Sequence, residues 1–103
     1  MQHFQSDAPT GAMKGNPVEY LEFLRVPELS CGIYHLKAGE KDPQQPHDEG
    51  EIYYVLSGSA SFTSGDETVS LKPGAILYVA AEEQHRFHDV TEDLSLLVVF
   101  ASN

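Results

Sequence analysis

Between residues 20 and 101 the apolar side chains fall into eight short runs: 20–25, 31–37, 51–57, 59–64, 67–71, 75–80, 85–90 and 94–101. Gly, Pro, Asp and Ser separate them. Runs this short and this evenly punctuated read as the strands of an all-β sandwich or barrel. Ser64-Gly65-Asp66-Glu67 fits a two-residue hairpin turn, with Gly65 where positive φ is required. In the last run Leu94, Leu96, Val98 and Phe100 alternate with Ser95, Leu97, Val99 and Ala101, so both faces are largely apolar. Residues 52–56 share that pattern. Strands of this kind are covered on both sides, and in so short a chain another subunit is the expected second cover.

One segment is ambiguous. Asn16-Pro17-Val18-Glu19 imitates a helix start, with a cap, a first-turn proline and an acid at the third position. The YLEFLR that follows suits helix and strand equally, and we read it as strand.

A chain of 103 residues has room for one core. Residues 1–17, with Pro9, Gly11, Gly15 and Pro17 and little periodicity, read as an N-terminal arm, and residues 18–103 as a single barrel domain. The net charge of −10 comes without any cluster of Lys or Arg, which argues against nucleic acid and anionic membranes as partners. Cys31 is the only cysteine, so no intramolecular disulfide forms, and its plain reading is a small buried hydrophobe. The N-terminus lacks a signal-peptide pattern, and no apolar run approaches the roughly 20 residues that cross a bilayer. A cytoplasmic protein is expected.

The chemistry gathers in residues 39–58, GEKDPQQPHDEGEIYYVLSG, and in the HRFHD block that starts at His85. Imidazole, carboxylate and amide oxygen are ligands that Fe(II), Mn(II), Ni(II) and Zn(II) accept. Spacing tests whether one ion can use them. Gln45 and His47 on one strand would face the same side with Cα atoms about 6.6 Å apart, close enough to share an ion. His47 and Glu51 on a straight strand would stand about 13 Å apart, too far. A shared site therefore needs a sharp bend between them, and Asp48-Glu49-Gly50 is turn material. A helix would also bring positions four apart together, but Gly50 and Ile52-Tyr53-Tyr54-Val55 speak against it. An inward Glu51 takes Tyr53 and Val55 inward with it. An inward His85 brings Phe87 and sends Arg86 and His88 outward.

These residues resemble the cupin superfamily. Its first motif reads Gly, five residues, His-x-His, three or four residues, Glu, six residues, Gly. Here Gly39, Gln45-Pro46-His47, Glu51 and Gly58 fit every interval, with Gln45 in place of the first histidine. The second motif reads Gly, five residues, Pro-x-Gly, two residues, His, three residues, Asn. Gly74 and His85 keep their places, while Ala80, Glu82 and Asp89 replace Pro, Gly and Asn. The resemblance implies a double-stranded β-helix, a jelly-roll barrel, enclosing one divalent transition metal (Fe, Mn, Ni or Zn), often in a homodimer. It carries the metal ligands onto His47, Glu51 and His85, with Gln45 as the fourth candidate.

As a ligand Gln45 would offer an amide oxygen, harder than imidazole, and would tilt preference from Zn(II) towards Mn(II) or Fe(II). Without it a two-His, one-carboxylate triad remains, which suits non-haem Fe(II) chemistry. Gln44 could supply the amide instead. Tyr53, Phe87 and His35 are the candidates for lining a substrate pocket. His88 reads as an outer-face histidine and His3 as part of the arm. Glu82-Glu83 and Glu92-Asp93 read as solvated acidic pairs. Two functions follow: a metal-dependent enzyme of dioxygenase or isomerase type acting on a small organic molecule, or a non-catalytic binder or sensor of such molecules. The resemblance permits both. A DNA-binding regulator is disfavoured, because the chain has no room for a second domain.

Overall fold

A computed structural model describes residues 1–5, 18–43 and 48–101. Six antiparallel strands form it: β1 (Val18–Arg25), β2 (Leu29–Leu36), β3 (Glu51–Ser64), β4 (Glu67–Leu71), β5 (Ile76–Val79) and β6 (His85–Ala101). No helix among the described residues is long and apolar enough to cross a membrane. The strand order is β1-β2-β6-β3-β4, with β5 also beside β3. The ambiguous start is strand: Val18 pairs with Leu36 and Arg25 with Ser30, through a bulge between Glu22 and Leu24.

Two long strands organise the barrel. The first half of β3 pairs with the last part of β6, Glu51 against Phe100 and Val55 against Leu96. The second half of β3 pairs with the first part of β6, Phe62 against Phe87 and Ser64 against His85. β2 and β5 extend one end of this ladder and β4 the other. Each long strand thus serves two layers, which is the jelly-roll arrangement.

The sequence reading divided each long strand in two, at residue 58 and at residues 91–93. The ladder instead runs through both places by bulging. Its register shifts at three points between Val55 and Ser61. Gly58 has φ 94°, and a Cβ there would stand 2.2 Å from the Asp93 carbonyl oxygen, so only glycine lets the strands cross this closely. The bulges also change which positions face in. Glu51, Tyr53 and Val55 are buried before them, Ala60 and Phe62 after. On β6, His85 and Phe87 give way to Val90, Leu94, Leu96 and Val98.

The core of the barrel closes on Leu36, Leu94 and Leu96, none of them measurably exposed. Each such burial contributes about 1.5–3 kcal/mol. The hairpin expected at residues 64–67 is present, with Ser64 paired to Glu67 and Gly65 at φ 58°. Asp66 keeps negative φ, as in a type II′ turn.

Candidate metal centre

Glu51 opens β3 and His85 opens β6, and the alternation of each strand turns both side chains into the barrel. They are not ladder neighbours. The jelly roll brings them together by facing one layer with the other, until Glu51 Oε1 lies 2.9 Å from His85 Nε2 with both side chains 1% exposed. The expected companions follow. Tyr53, Val55 and Phe87 are buried, while Arg86 is exposed and His88 is half-buried at the outer side, between Thr63 and Asp89.

Hydrogen bonds orient the imidazole. His85 Nδ1 donates to the Glu83 carbonyl at 2.8 Å. In the neutral ring that leaves the lone pair on Nε2, which accepts from the Tyr53 hydroxyl at 3.1 Å. A backbone carbonyl that holds one ring nitrogen so that the other points inward is the usual support of a ligating histidine. Burial pulls the His85 pKa down, but the Glu51 carboxylate and the Glu83 carbonyl outweigh it, and the net shift is upward. Glu83 was expected to be merely solvated. Its carboxylate instead accepts from the Ala80 amide and the Ser64 hydroxyl, which holds the turn before His85 and draws its own pKa down.

The carboxylate of Glu51 is the strained member. It is at ion-pair distance from His85, yet neither oxygen receives a hydrogen bond of good geometry from the described residues. A buried carboxylate without donors costs several kcal/mol unless a proton or cation compensates it. Buried oxygen facing an inward imidazole lone pair is a donor set that fits a divalent transition metal. His47, Gln45 and Gln44 lie outside the described residues. Among the described residues no third His, Cys, Asp or Glu joins Glu51 and His85. The backbone bends at Asp48 and Glu49, within the turn expected at Asp48-Glu49-Gly50.

The three pocket candidates part company. Tyr53 touches His85 and also forms the floor of a cavity of about 360 Å³, walled by Tyr20, Tyr34, Phe100 and Val98, with Glu22 and Arg25 at its rim. Phe87 is 1% exposed and packs against Tyr53 and Phe62, with ring centroids 5.0 and 4.7 Å away, so it backs the site without lining that cavity. His35 is not gathered into the site. It lies on the face of β2 opposite Tyr34 and Leu36, buried beside Ser95 Oγ at 2.9 Å, because strand alternation turns it outward.

Asp42 was missed. It accepts from the Tyr34 hydroxyl at 2.7 Å and from the Phe87 amide at 2.8 Å, tying the loop after β2 to both layers. No local pattern marks it, since its partners are 8 and 45 residues away.

The fold is therefore a small jelly-roll barrel whose interior carries a buried carboxylate–imidazole pair beneath an aromatic cavity. Residues 32–100 match the family model described as a cupin domain, and the chain belongs to the cupin family. An uncharacterised protein of Streptomyces coelicolor is 43% identical over 101 residues, covering 98% of this chain and 96% of that protein. A putative mannose-6-phosphate isomerase from Ralstonia eutropha superposes with a TM-score of 0.78 at 24% identity, over all of both chains. The DMSP lyase DddQ from Ruegeria pomeroyi superposes with a TM-score of 0.80 at 20% identity, over 92% of this chain and 52% of the lyase. At such identities the two structures speak for the fold alone.

Proposed function

We propose that this cupin is a metal-dependent enzyme of dioxygenase or isomerase type acting on a small organic molecule. The observation that carries the reading is the fully buried Glu51 carboxylate, its Oε1 2.9 Å from His85 Nε2, with Tyr53 linking the pair to the cavity. His47, Glu51 and His85 would hold the ion, with the amide of Gln45 or Gln44 as the fourth ligand. When bound, the metal supplies a Lewis acid that polarises a substrate oxygen. The chain's own residues do the rest. Glu83 fixes the imidazole, Glu51 provides the compensating charge, and Tyr53 presents a hydroxyl between ligand and cavity. The aromatic walls offer faces against which a flat or ring-shaped molecule can stack, in an open cavity of about 360 Å³. Two histidines and one carboxylate without the amide would favour Fe(II).

Elemental analysis of protein purified without added metal, followed by reconstitution with Fe(II), Mn(II), Ni(II) and Zn(II), tests the metal. About one equivalent is expected, and less than about a tenth before and after reconstitution refutes the reading. Loaded protein is then offered a diketone, a phenol and a sugar phosphate. Turnover lost in His47→Ala supports the metal mechanism, and turnover that survives excludes it. Saturable binding with no turnover on any metal would establish the competing reading, a non-catalytic binder or sensor that uses the same cavity.

A further inference from the structure

The inner face of the larger layer is ordered in rows, which the ladder partners define. Tyr20 and Tyr34 continue into Leu96 and Val55, Glu22 and Gly32 into Val98 and Tyr53, and Arg25 and Ser30 into Phe100 and Glu51. The bulge between Glu22 and Leu24 puts Arg25 on this side, since positions 22 and 25 of a regular strand face opposite ways. Gly32 leaves a gap in the middle row. A Cβ there would stand 2.3 Å from the end of the Tyr20 ring, so the missing side chain lets that ring lie over the sheet, edge to face with Phe100 at 6.2 Å.

Four rings from four strands, Tyr20, Tyr34, Tyr53 and Phe100, thus line the cavity of about 360 Å³. Two of their hydroxyls are already committed, Tyr34 donating to Asp42 and Tyr53 to His85, and donation leaves the ring faces richer in electrons. The charges at the rim also have a sign. Glu22 and Glu49 stand there against Arg25. Arg25 is held by Glu22 at 2.7 and 3.3 Å and is the outer partner, its side chain 71% exposed against 35%. Burial, and after it the Glu22 carboxylate, push the Tyr20 hydroxyl up to about 12. Glu22 raises it more than Arg25 lowers it, and Glu51 adds to the rise, so the field among the rings is negative.

From the four rings and the rim carboxylates we infer that the cavity is a box for a methylated ammonium head group, and that the small molecule this protein takes carries a quaternary ammonium. Ring faces attract a cation within about 6 Å, and its methyl groups bury apolar surface that a bare amine lacks. An anion would meet the wrong sign of field, and a neutral molecule forgoes the attraction. The inference names the substrate class of the proposed enzyme and rests on that reading only for the molecule's other end, where an oxygen would meet a metal at Glu51 and His85.

A nuclear magnetic resonance titration of the isotope-labelled full chain, kept metal-free with a chelator, tests the box apart from the metal. Choline is compared with benzoate and with the neutral alcohol in which carbon replaces the nitrogen. Choline is expected to bind with a Kd of about a millimolar or tighter, and at least about tenfold better than the alcohol, shifting the amides of β1 and β2 around Gly32. Tyr20→Leu should abolish that preference and Tyr20→Phe keep it. Glu22→Gln, a change at the exposed rim that the fold tolerates, should weaken choline about threefold or more. Equal binding of choline and the alcohol overturns the inference, as does a choline preference untouched by both Tyr20→Leu and Glu22→Gln. Benzoate binding above choline, lost in Arg25→Gln, overturns it in favour of an anion site. Metal uptake with no response to choline sinks the box and leaves the enzyme reading standing, whereas a choline preference in a protein that takes up no metal does the reverse.

Discussion

Glu51 and His85 stand at opposite ends of the β3–β6 ladder, where Glu51 pairs with Phe100 and His85 with Ser64, yet their side chains meet at 2.9 Å. The contact exists only because the two long strands bend and set their halves face to face. It concentrates a carboxylate and an imidazole where water does not reach, a pair that a proton on the imidazole or a bound cation would compensate.

Metal binding should therefore appear as stability. At about 100 times its Kd, an ion stabilises the fold by about 2.7 kcal/mol, which for a chain of this length raises Tm by roughly 10–20 °C. Glu51→Gln keeps the shape and removes the charge. Its metal-induced shift in a thermal melt should fall to a degree or two, while an undiminished shift would place the ion elsewhere.

Tyr53 has a double role that one atom tests. Its hydroxyl occupies the same Nε2 lone pair that a metal would take. Tyr53→Phe keeps the packing on Phe62 and Phe87 and loses that hydrogen bond, so the metal-free protein should lose about 1 kcal/mol in urea unfolding. Metal affinity should hold or rise, because the competitor for Nε2 is gone. Lower affinity with unchanged metal-free stability would contradict the geometry.

Acid should weaken the fold through His35. Burial lowers its pKa, with Glu19 opposing only partly. A histidine held neutral in the folded chain binds fewer protons than in the unfolded one, so its contribution is complete above the unfolded value of about 6.5 and is lost as pH falls through the folded value. The difference between wild type and His35→Gln isolates this from His85, whose raised pKa acts in the opposite sense. Stability measured by urea between about pH 5 and 8 should fall more steeply towards acid in wild type than in the variant.

The turn before β6 stores strain that a glycine would release. Glu82, at the place where the second motif carries glycine, holds φ 65°. Left-handed backbone costs a residue with a side chain about 1 kcal/mol or more. Glu82→Gly should raise stability by about 0.5–1 kcal/mol, or a few degrees in a calorimetric melt. A loss of stability would show that the carboxyl of Glu82, beside Asp48, outweighs the strain.

Much of this was legible in order along the chain. Period-two alternation placed Glu51, Tyr53, Val55, His85 and Phe87 inside, since side-chain direction in a strand is a local property. Gly65 and the bend at Asp48–Glu49 could be read for the same reason. The side of His35 could not be read, because alternation reveals that neighbours oppose one another but not which face will be enclosed. The strand divisions at residue 58 and at residues 91–93 failed because turn residues and bulge residues look alike, and only pairing with the opposite strand tells them apart.

The sequence by itself determined the strand class, the family motifs and the parity of each strand, because these depend on neighbours a few residues apart. The tertiary structure decided the rest. It drew Glu51 to His85 across the barrel, set Asp42 between two layers and put Tyr53 between His85 and the cavity. Those are relations between residues tens of positions apart, and they appear only once the jelly roll closes and fixes which layers confront each other.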